Sequence, residues 1–288
     1  MPRCAFLTTD NLDDFFVYDD LVKPHLNELG WQVDDVSWHD DTVNYNDYDV
    51  VVVRSTWDYQ SAPAKFMKAL ERIEASKARL ENHYQLMLWN FSKDYLRDLA
   101  DKGVPILPTI WLDTFDAEAI TQAFNDLRTS EIIIKPWVSA NADFTYRLSE
   151  EAFLFEQQNI KQALNDRPIM IQAFESSILE QGEFSLFYFG EQYSHTINKR
   201  PAEGDFRVQE EHGGELYSRK PTKAMTALAE KTLASLPYKA LYARIDMLMT
   251  DRGLNIIEVE LIEPSLYFNM HEPSAKAFAQ ALHRTAKD

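Results

Sequence analysis

The stretch "ARIDMLMTDRGLNIIEVELIEPS", Ala243 to Ser265, consists of two apolar runs around a turn. Three acids interrupt them: Asp246 in the first run, Glu258 and Glu260 in the second. Alternate residues of a strand project to one face, so Glu258 and Glu260 point together, and Arg244 and Asp246 share a face of the preceding run. Carboxylates gathered so closely repel one another unless a cation sits among them. A solvated sheet edge would account for one acid. Three acids and an arginine, flanked by Ile245, Met247, Ile257, Val259 and Leu261, predict a site for a hard cation such as Mg2+, which takes carboxylate oxygens together with substrate phosphates.

Working upstream, Ala5–Thr8 and "DVVVVRSTWDY" (Asp49–Tyr59) read as strands on either side of an amphipathic stretch, Leu21–Leu29, that stops at Gly30. That order predicts a small N-terminal α/β unit with parallel strands. "SAPAKFMKALERIEASKARL" predicts a helix with Ser61 as its cap and Pro63 in its first turn. A second helical stretch runs from Ser92 to Gly103. "EIIIKPW" (Glu131–Trp137) reads as a buried strand, followed by a helix over Glu150–Leu164 and the strand "PIMIQAF". "EFSLFYFG" and "EQYSHTINK" predict an antiparallel pair turning near Gly190. The polar loop "RPAEGDFRVQEEHGG" leads to a helix over Thr222–Ser235, and a last helix starts near Pro273. A loop of that length in a compact domain is commonly functional.

The 288 residues, 45% of them hydrophobic, suffice for a large core and two or three lobes. The formal charge of −17 comes from 29 basic and 46 acidic residues. With no basic patch in the sequence, that charge opposes nucleic-acid and membrane partners. No apolar run approaches the ~18 residues that span a bilayer, and "MPRCAFLTTD" predicts no secretory signal. Cys4 is the single cysteine, which excludes an internal disulfide and any multi-cysteine metal site. A cytoplasmic protein acting on small molecules is the expectation, with a homodimer left open. His195 and His212 lack ligand spacing, and no "GxSxG" elbow supports a hydrolase triad.

The cations are few, so their positions matter. Taken singly, Lys93 at a helix start, Lys135 at a strand end, and Lys199, Arg200 and Arg207 around the polar loop are solvated charges. Together with the acid cluster they supply what phosphoryl transfer requires: cations on phosphate oxygens and a divalent ion bridging them. Arg54 ends the run "VVVV", where loops at the carboxyl ends of parallel strands form ligand crevices. Its guanidinium is assigned to a substrate carboxylate, with stacking on Trp57 as the alternative.

The order Lys93, Lys135, Gly182–Glu183, "GDFRVQ…GG" and "RID…IIEVELIEP" resembles the ATP-grasp superfamily of carboxylate–amine ligases, glutathione synthetase among them. "VVRSTWDY", "WNFSKDYLRDLADKGVPILPT", "SHTINKRPAEGDFRVQEEHGG" and "EVELIEP" are similar to the subgroup holding the O-ureidoserine cyclo-ligase of cycloserine biosynthesis. The resemblance implies an α/β protein of ATP-grasp fold: a Rossmann-like N-terminal domain over 1–90, a lid and central subdomain over 91–175, and a C-terminal antiparallel-sheet domain with the metal site over 176–288. By motif, Lys93 and Lys135 match lysines that contact nucleotide phosphates. Gln172, Ala173, Phe174 and Glu175 match the hinge that reads adenine, and Glu180 or Glu183 the acid near the ribose. Asp246, Glu258 and Glu260 match the Mg2+ ligands, with Mn2+ as a substitute. Arg207 matches the arginine facing the transferred phosphoryl group, and Lys199 falls in its neighbourhood. Two positions depart from the pattern. The lid "WVSANADFTYR" has no glycine, leaving Ser139, Asn141 and Thr145 as donors, with Asp143 among them. Glu260 stands where many relatives carry asparagine.

These readings converge on an ATP-dependent ligase that activates a carboxylate as an acyl phosphate, joins it to an amine or cyclises it, and releases ADP and phosphate. A catalytically inactive Mg-ATP-binding protein of the same fold is the alternative, and a metal-dependent hydrolase is the third reading.

Overall fold

The computed structural model describes residues 1–13, 15–139, 142–165 and 167–287. The chain begins with β1 (Arg3–Thr8), α1 (Lys23–Glu28), β2 (Gln32–Ser37), β3 (Val50–Ser55), α2 (Pro63–Glu74) and β4 (Arg79–Glu81). These strands form a parallel sheet in the order β2-β1-β3-β4. Its centre is the β-branched run Val50–Val53, fully buried, as a strand covered on both faces must be. Pro63 occupies the first turn of α2, where its missing N–H costs nothing. Ser61 does not cap that helix. Its hydroxyl donates to the Asp58 carbonyl at 2.7 Å, and Ala62 takes the cap position.

Two further helices, α3 (Tyr84–Asn90) and α4 (Tyr95–Asp101), lead to β5 (Thr109–Leu112), α5 (Ala117–Leu127), β6 (Glu131–Pro136), β7 (Tyr146–Ser149), α6 (Glu150–Leu164) and β8 (Ile169–Ala173). The strands pair antiparallel in the order β5-β8-β6-β7, backed by α5 and α6 through Ile120, Phe124, Phe153 and Ile160. Ser149 caps α6 by accepting from the Ala152 N–H at 3.2 Å.

After the short helix α7 (Ser177–Glu180) come β9 (Glu183–Phe189), β10 (Gln192–Arg200), β11 (Glu215–Arg219), α8 (Lys223–Ala234), β12 (Tyr242–Thr250), β13 (Gly253–Glu260) and α9 (Pro273–Thr285). The five strands form an antiparallel sheet, β11-β10-β9-β12-β13. β13 is therefore an edge strand, with unpaired backbone groups on one side. Helices α3 and α4 supply partners. Asn90 donates to the Val259 carbonyl at 2.8 Å and accepts from the Leu261 N–H at 2.9 Å, and the Tyr95 hydroxyl accepts from the Val259 N–H at 2.7 Å. The edge that carries the acids is thus fixed by side chains from more than 150 positions upstream.

The two antiparallel sheets enclose a cleft of about 260 Å³ lined by residues of β6, β8, β12 and β13. Among the described residues, no helix is long and apolar enough to cross a membrane.

Candidate active site

The register of β12 and β13 sets the geometry of the cleft floor. Asp246 pairs with Glu258 and Arg244 with Glu260, so two residues from each strand present one face. Carboxylate oxygens of Asp246, Glu258 and Glu260 lie within 4.8 Å of one another. Arg244 lies among them, bonding Asp246 through Nε at 3.1 Å and Nη2 at 2.9 Å and also contacting Glu260. Ser185 on β9 donates to Asp246 at 2.6 Å.

Lysines arrive from three directions. Lys93, just before α4, reaches Glu258 at 2.8 Å and donates to the Ser139 carbonyl at 2.9 Å. Lys199 on β10 contacts Glu183 and lies 3.5 Å from Asp246. Lys135, at the end of β6, faces Glu258 from the opposite sheet, and burial pulls its pKa below the ordinary lysine value. Gly182 makes the Lys199 contact possible. It holds φ +77°, and a Cβ there would meet the Lys199 carbonyl at 2.5 Å and the Asn198 amide at 2.7 Å.

The acids divide by environment. Burial drives Asp246 upward, but Arg244 and Lys199 outweigh it and hold the group at about 2. Burial likewise opposes ionisation of Glu258, and Lys93 and Lys135 overcome it, leaving its pKa below the usual carboxylate value. Glu260 goes the other way. Burial raises it to about 8 against the pull of Arg244, with Glu258 and Asp246 adding repulsion. Three hard-oxygen donors, with burial and mutual repulsion opposing the charge on Glu260, suit a divalent cation.

The structure brings most of the sequence-predicted residues together. Lys93, Lys135, Lys199, Arg207, Glu183, Glu258 and Glu260 line the one cleft with Gln172, Ala173, Phe174 and Glu175 at the end of β8. Arg207 is paired with Asp205 at 2.8 Å, which holds the Asp205 carboxyl well below the usual carboxylate range and leaves the guanidinium partly exposed. Glu180 lies on α7 and does not line the cleft. Glu183, largely buried, lines the cleft with its carboxylate against Lys199. In the lid, Ser139 and Thr145 line the cleft, whereas Asn141 lies outside the described residues. Asp143 accepts from Gln60 at 3.4 Å. Ala142 and Phe144 hold φ of 58° and 53°, so this glycine-free loop still takes left-handed conformations that glycine adopts without strain.

Arg54 requires a correction. It is 1% exposed, ion-paired to Asp19 at 3.0 Å, donates to the Pro264 carbonyl at 3.0 Å, and lies over the Tyr242 ring rather than Trp57. The expected ligand crevice at the end of β3 is lined by Trp57 together with Glu263 and Ser265, whereas Arg54 lies behind that segment, bonded to its Pro264 carbonyl, and does not line the cleft. Sequence reasoning missed Trp57, Tyr59, Glu263, Ser265 and Tyr267 as residues lining the same cleft. Only the proximity of Glu263 to the acid cluster could have signalled it.

The N-terminal residues 4–82 match the family model described as "D-cycloserine synthetase DcsG, N-terminal domain". Across the chain, cycloserine biosynthesis protein DcsG of Streptomyces lavendulae is 29% identical over 271 residues, covering 87% of each. The crystal structure of D-cycloserine synthetase DcsG superposes with a TM-score of 0.88, 27% identity and 99% coverage of both chains. The ATP-grasp ligase PsnB, solved with minimal precursor, Mg and ADP, gives a TM-score of 0.65 at 14% identity, covering 99% of this chain and 98% of that one, a likeness of fold. Fold and site together define an ADP-forming carbon–nitrogen ligase of the ATP-grasp type. More particularly, the chain is a homologue of DcsG. These relatives lend no support to the catalytically inactive alternative, and the hydrolase reading gives way to the ligase.

Proposed function

We propose that the protein is a cyclising ligase. It transfers the γ-phosphoryl group of ATP to the carboxylate of a small amino-acid derivative, then closes the acyl phosphate with a nitrogen of the same molecule, releasing ADP and phosphate. Homology with a D-cycloserine synthetase favours the intramolecular form over the joining of a separate acid and amine. O-ureidoserine is the candidate substrate that the subgroup resemblance supplies.

The observation that carries this reading is the position of Asp246, Glu258 and Glu260, within 4.8 Å of one another and bracketed by Lys93 and Lys199. This donor set fits Mg2+, and Mn2+ by the same oxygen chemistry. A bound ion there would neutralise charge on the phosphate oxygens. Lys93 and Lys135 would hold the phosphate tail, and Gln172, Ala173, Phe174 and Glu175 the adenine edge. Arg207 and Lys199 would face the transferred group, and the loop through Ser139 and Thr145 would exclude water from the acyl phosphate. We assign residues 1–90, 91–175 and 176–288 to three domains, since each range contains one of the three sheets. The substrates of this reading are small molecules, and the cytoplasm, where ATP is maintained, is its setting.

The test is ADP release with O-ureidoserine, set beside a panel of amino acids and dipeptides, using substrate labelled with 18O in its carboxylate. Label appearing in the released phosphate is expected. ADP formation with no substrate in the panel would sink the proposal.

A further inference from the structure

Glu263 lines the cleft together with Trp57, Tyr59, Ser265 and Tyr267. Its backbone is held with unusual completeness. Every carbonyl from Leu261 to Pro264 accepts a side-chain hydrogen bond: from Asn82 at 2.7 Å, the Tyr242 hydroxyl at 2.8 Å, Trp57 Nε1 at 2.7 Å and Arg54 Nη2 at 3.0 Å. Three of these four donors belong to the N-terminal part of the chain. They fix the direction in which the Glu263 side chain leaves the backbone. Its carboxylate forms no ion pair with a lysine or arginine among the described residues, unlike Asp246, Glu258 and Glu260.

We propose that Glu263 is the general base that accepts the proton of the attacking nitrogen. The inference rests on the ligase reading above. With the nucleotide between the hinge and the acid cluster, the space bounded by Glu263 and the aromatic rings is left for the reacting carboxylate and its nitrogen. As the nitrogen lone pair forms the C–N bond, its proton passes to a Glu263 oxygen. The C–O bond to phosphate then breaks, phosphate leaves with the electron pair, and the proton on Glu263 passes to it. The carboxylate is regenerated, and the products are the amide and hydrogen phosphate.

The surroundings suit this work. Burial lifts Glu263 to about 7. The groups facing it are the Tyr59 hydroxyl ahead of α2, Lys93 ahead of α4, Glu258 of β13 and Arg244 of β12. Tyr59, Lys93 and Arg244 favour the ionised form, and Glu258 opposes it. A base with a pKa near the working pH combines an adequate ionised fraction with useful basicity.

The test compares the full-length wild type with Glu263→Gln, Glu263→Asp and Tyr59→Phe, using ATP, Mg2+ and O-ureidoserine with and without hydroxylamine. Hydroxylamine is unprotonated at neutral pH and traps an acyl phosphate without a base. Glu263→Gln should lower ring closure about 100-fold or more while hydroxamate formation falls far less. Glu263→Asp should recover part of the loss. The wild-type rate should rise as pH climbs through about 7, a limb that Glu263→Gln removes and Tyr59→Phe moves upward. Equal losses in both branches, or no loss in either, would overturn the role of Glu263. A wild type that releases no ADP and yields no hydroxamate would overturn the ligase reading, and this inference with it.

Discussion

Asp246 and Glu258 face each other across β12 and β13, yet each is neutralised by a different lysine: Lys199 at 3.5 Å from Asp246, Lys93 at 2.8 Å from Glu258. The two acids therefore differ in what their loss exposes. Asp246 also balances Arg244 in a fully buried setting, whereas Glu258 remains partly open to the cleft.

Replacing either acid removes a negative oxygen from the proposed metal site, and both Asp246→Asn and Glu258→Gln should cut ADP release by about 100-fold or more. Their stabilities should diverge. Asp246→Asn leaves Arg244 and Lys199 without their shared anion, which costs about 3 kcal/mol for a broken buried pair. Glu258→Gln should melt within a few degrees of wild type. Thermal melts beside ADP assays read both effects, and full activity in either variant would count against the metal assignment.

Arg54 is expected to behave as a strut. Arg54→Met strands buried Asp19 and frees the Pro264 carbonyl, and should lower unfolding free energy by about 3 kcal/mol. In the surviving folded protein, KM for ATP should stay within about 3-fold of wild type, because the side chain does not line the cleft. Denaturant titration and steady-state kinetics would decide it. A stable variant with a greatly raised KM for the carboxylate substrate would restore Arg54 to substrate binding.

How much of this was legible follows from the range of each interaction. The acids of β12 and β13 sit two residues apart on strands joined by a short turn, so their common face could be read from alternation alone. Helix α6 announces itself with Ser149 and an acidic first turn. Strands β7 and β11 are short, half-exposed and lack apolar runs, and they exist only because β6 and β10 offer an edge. Asn90 and Asn82 give no local signal, since their partners lie more than 150 residues away. Arg54 was misread for the same reason: the segment to which it is bonded comes from the other end of the chain.

Asn82 illustrates the cost of such remote partners. It is fully buried, accepts from the Leu241 N–H at 2.6 Å, and donates to the carbonyls of Tyr242 at 2.9 Å and Leu261 at 2.7 Å. Asn82→Ala would leave these backbone groups unsatisfied away from water, at about 1 kcal/mol or more each, so a loss of roughly 3 kcal/mol is expected. Asn82→Asp should be no better, since it keeps the acceptor but removes both donors and buries a charge. Urea unfolding measures both variants. A loss below about 1 kcal/mol for alanine would mean that water reaches the junction.

His195 should make the fold sensitive to acid. Its ring is 3% exposed and stacks between Phe187, with centroids 4.2 Å apart, and His271, at 5.2 Å. Burial, with His271 adding repulsion, lowers its pKa from 6.5 to about 3. Between these values the unfolded chain binds a proton that the folded chain excludes. The stability that neutral His195 contributes is therefore complete above about 6.5 and is lost as pH falls toward about 3. The slope from this single group approaches roughly 1.4 kcal/mol per pH unit at its steepest. His195→Phe keeps an aromatic ring in the stack and removes the titration. Urea midpoints collected from pH 4 to 6.5 should rise less steeply with pH in that variant, by about one proton. Parallel curves for the two proteins would show that the native fold admits the proton at His195 without penalty.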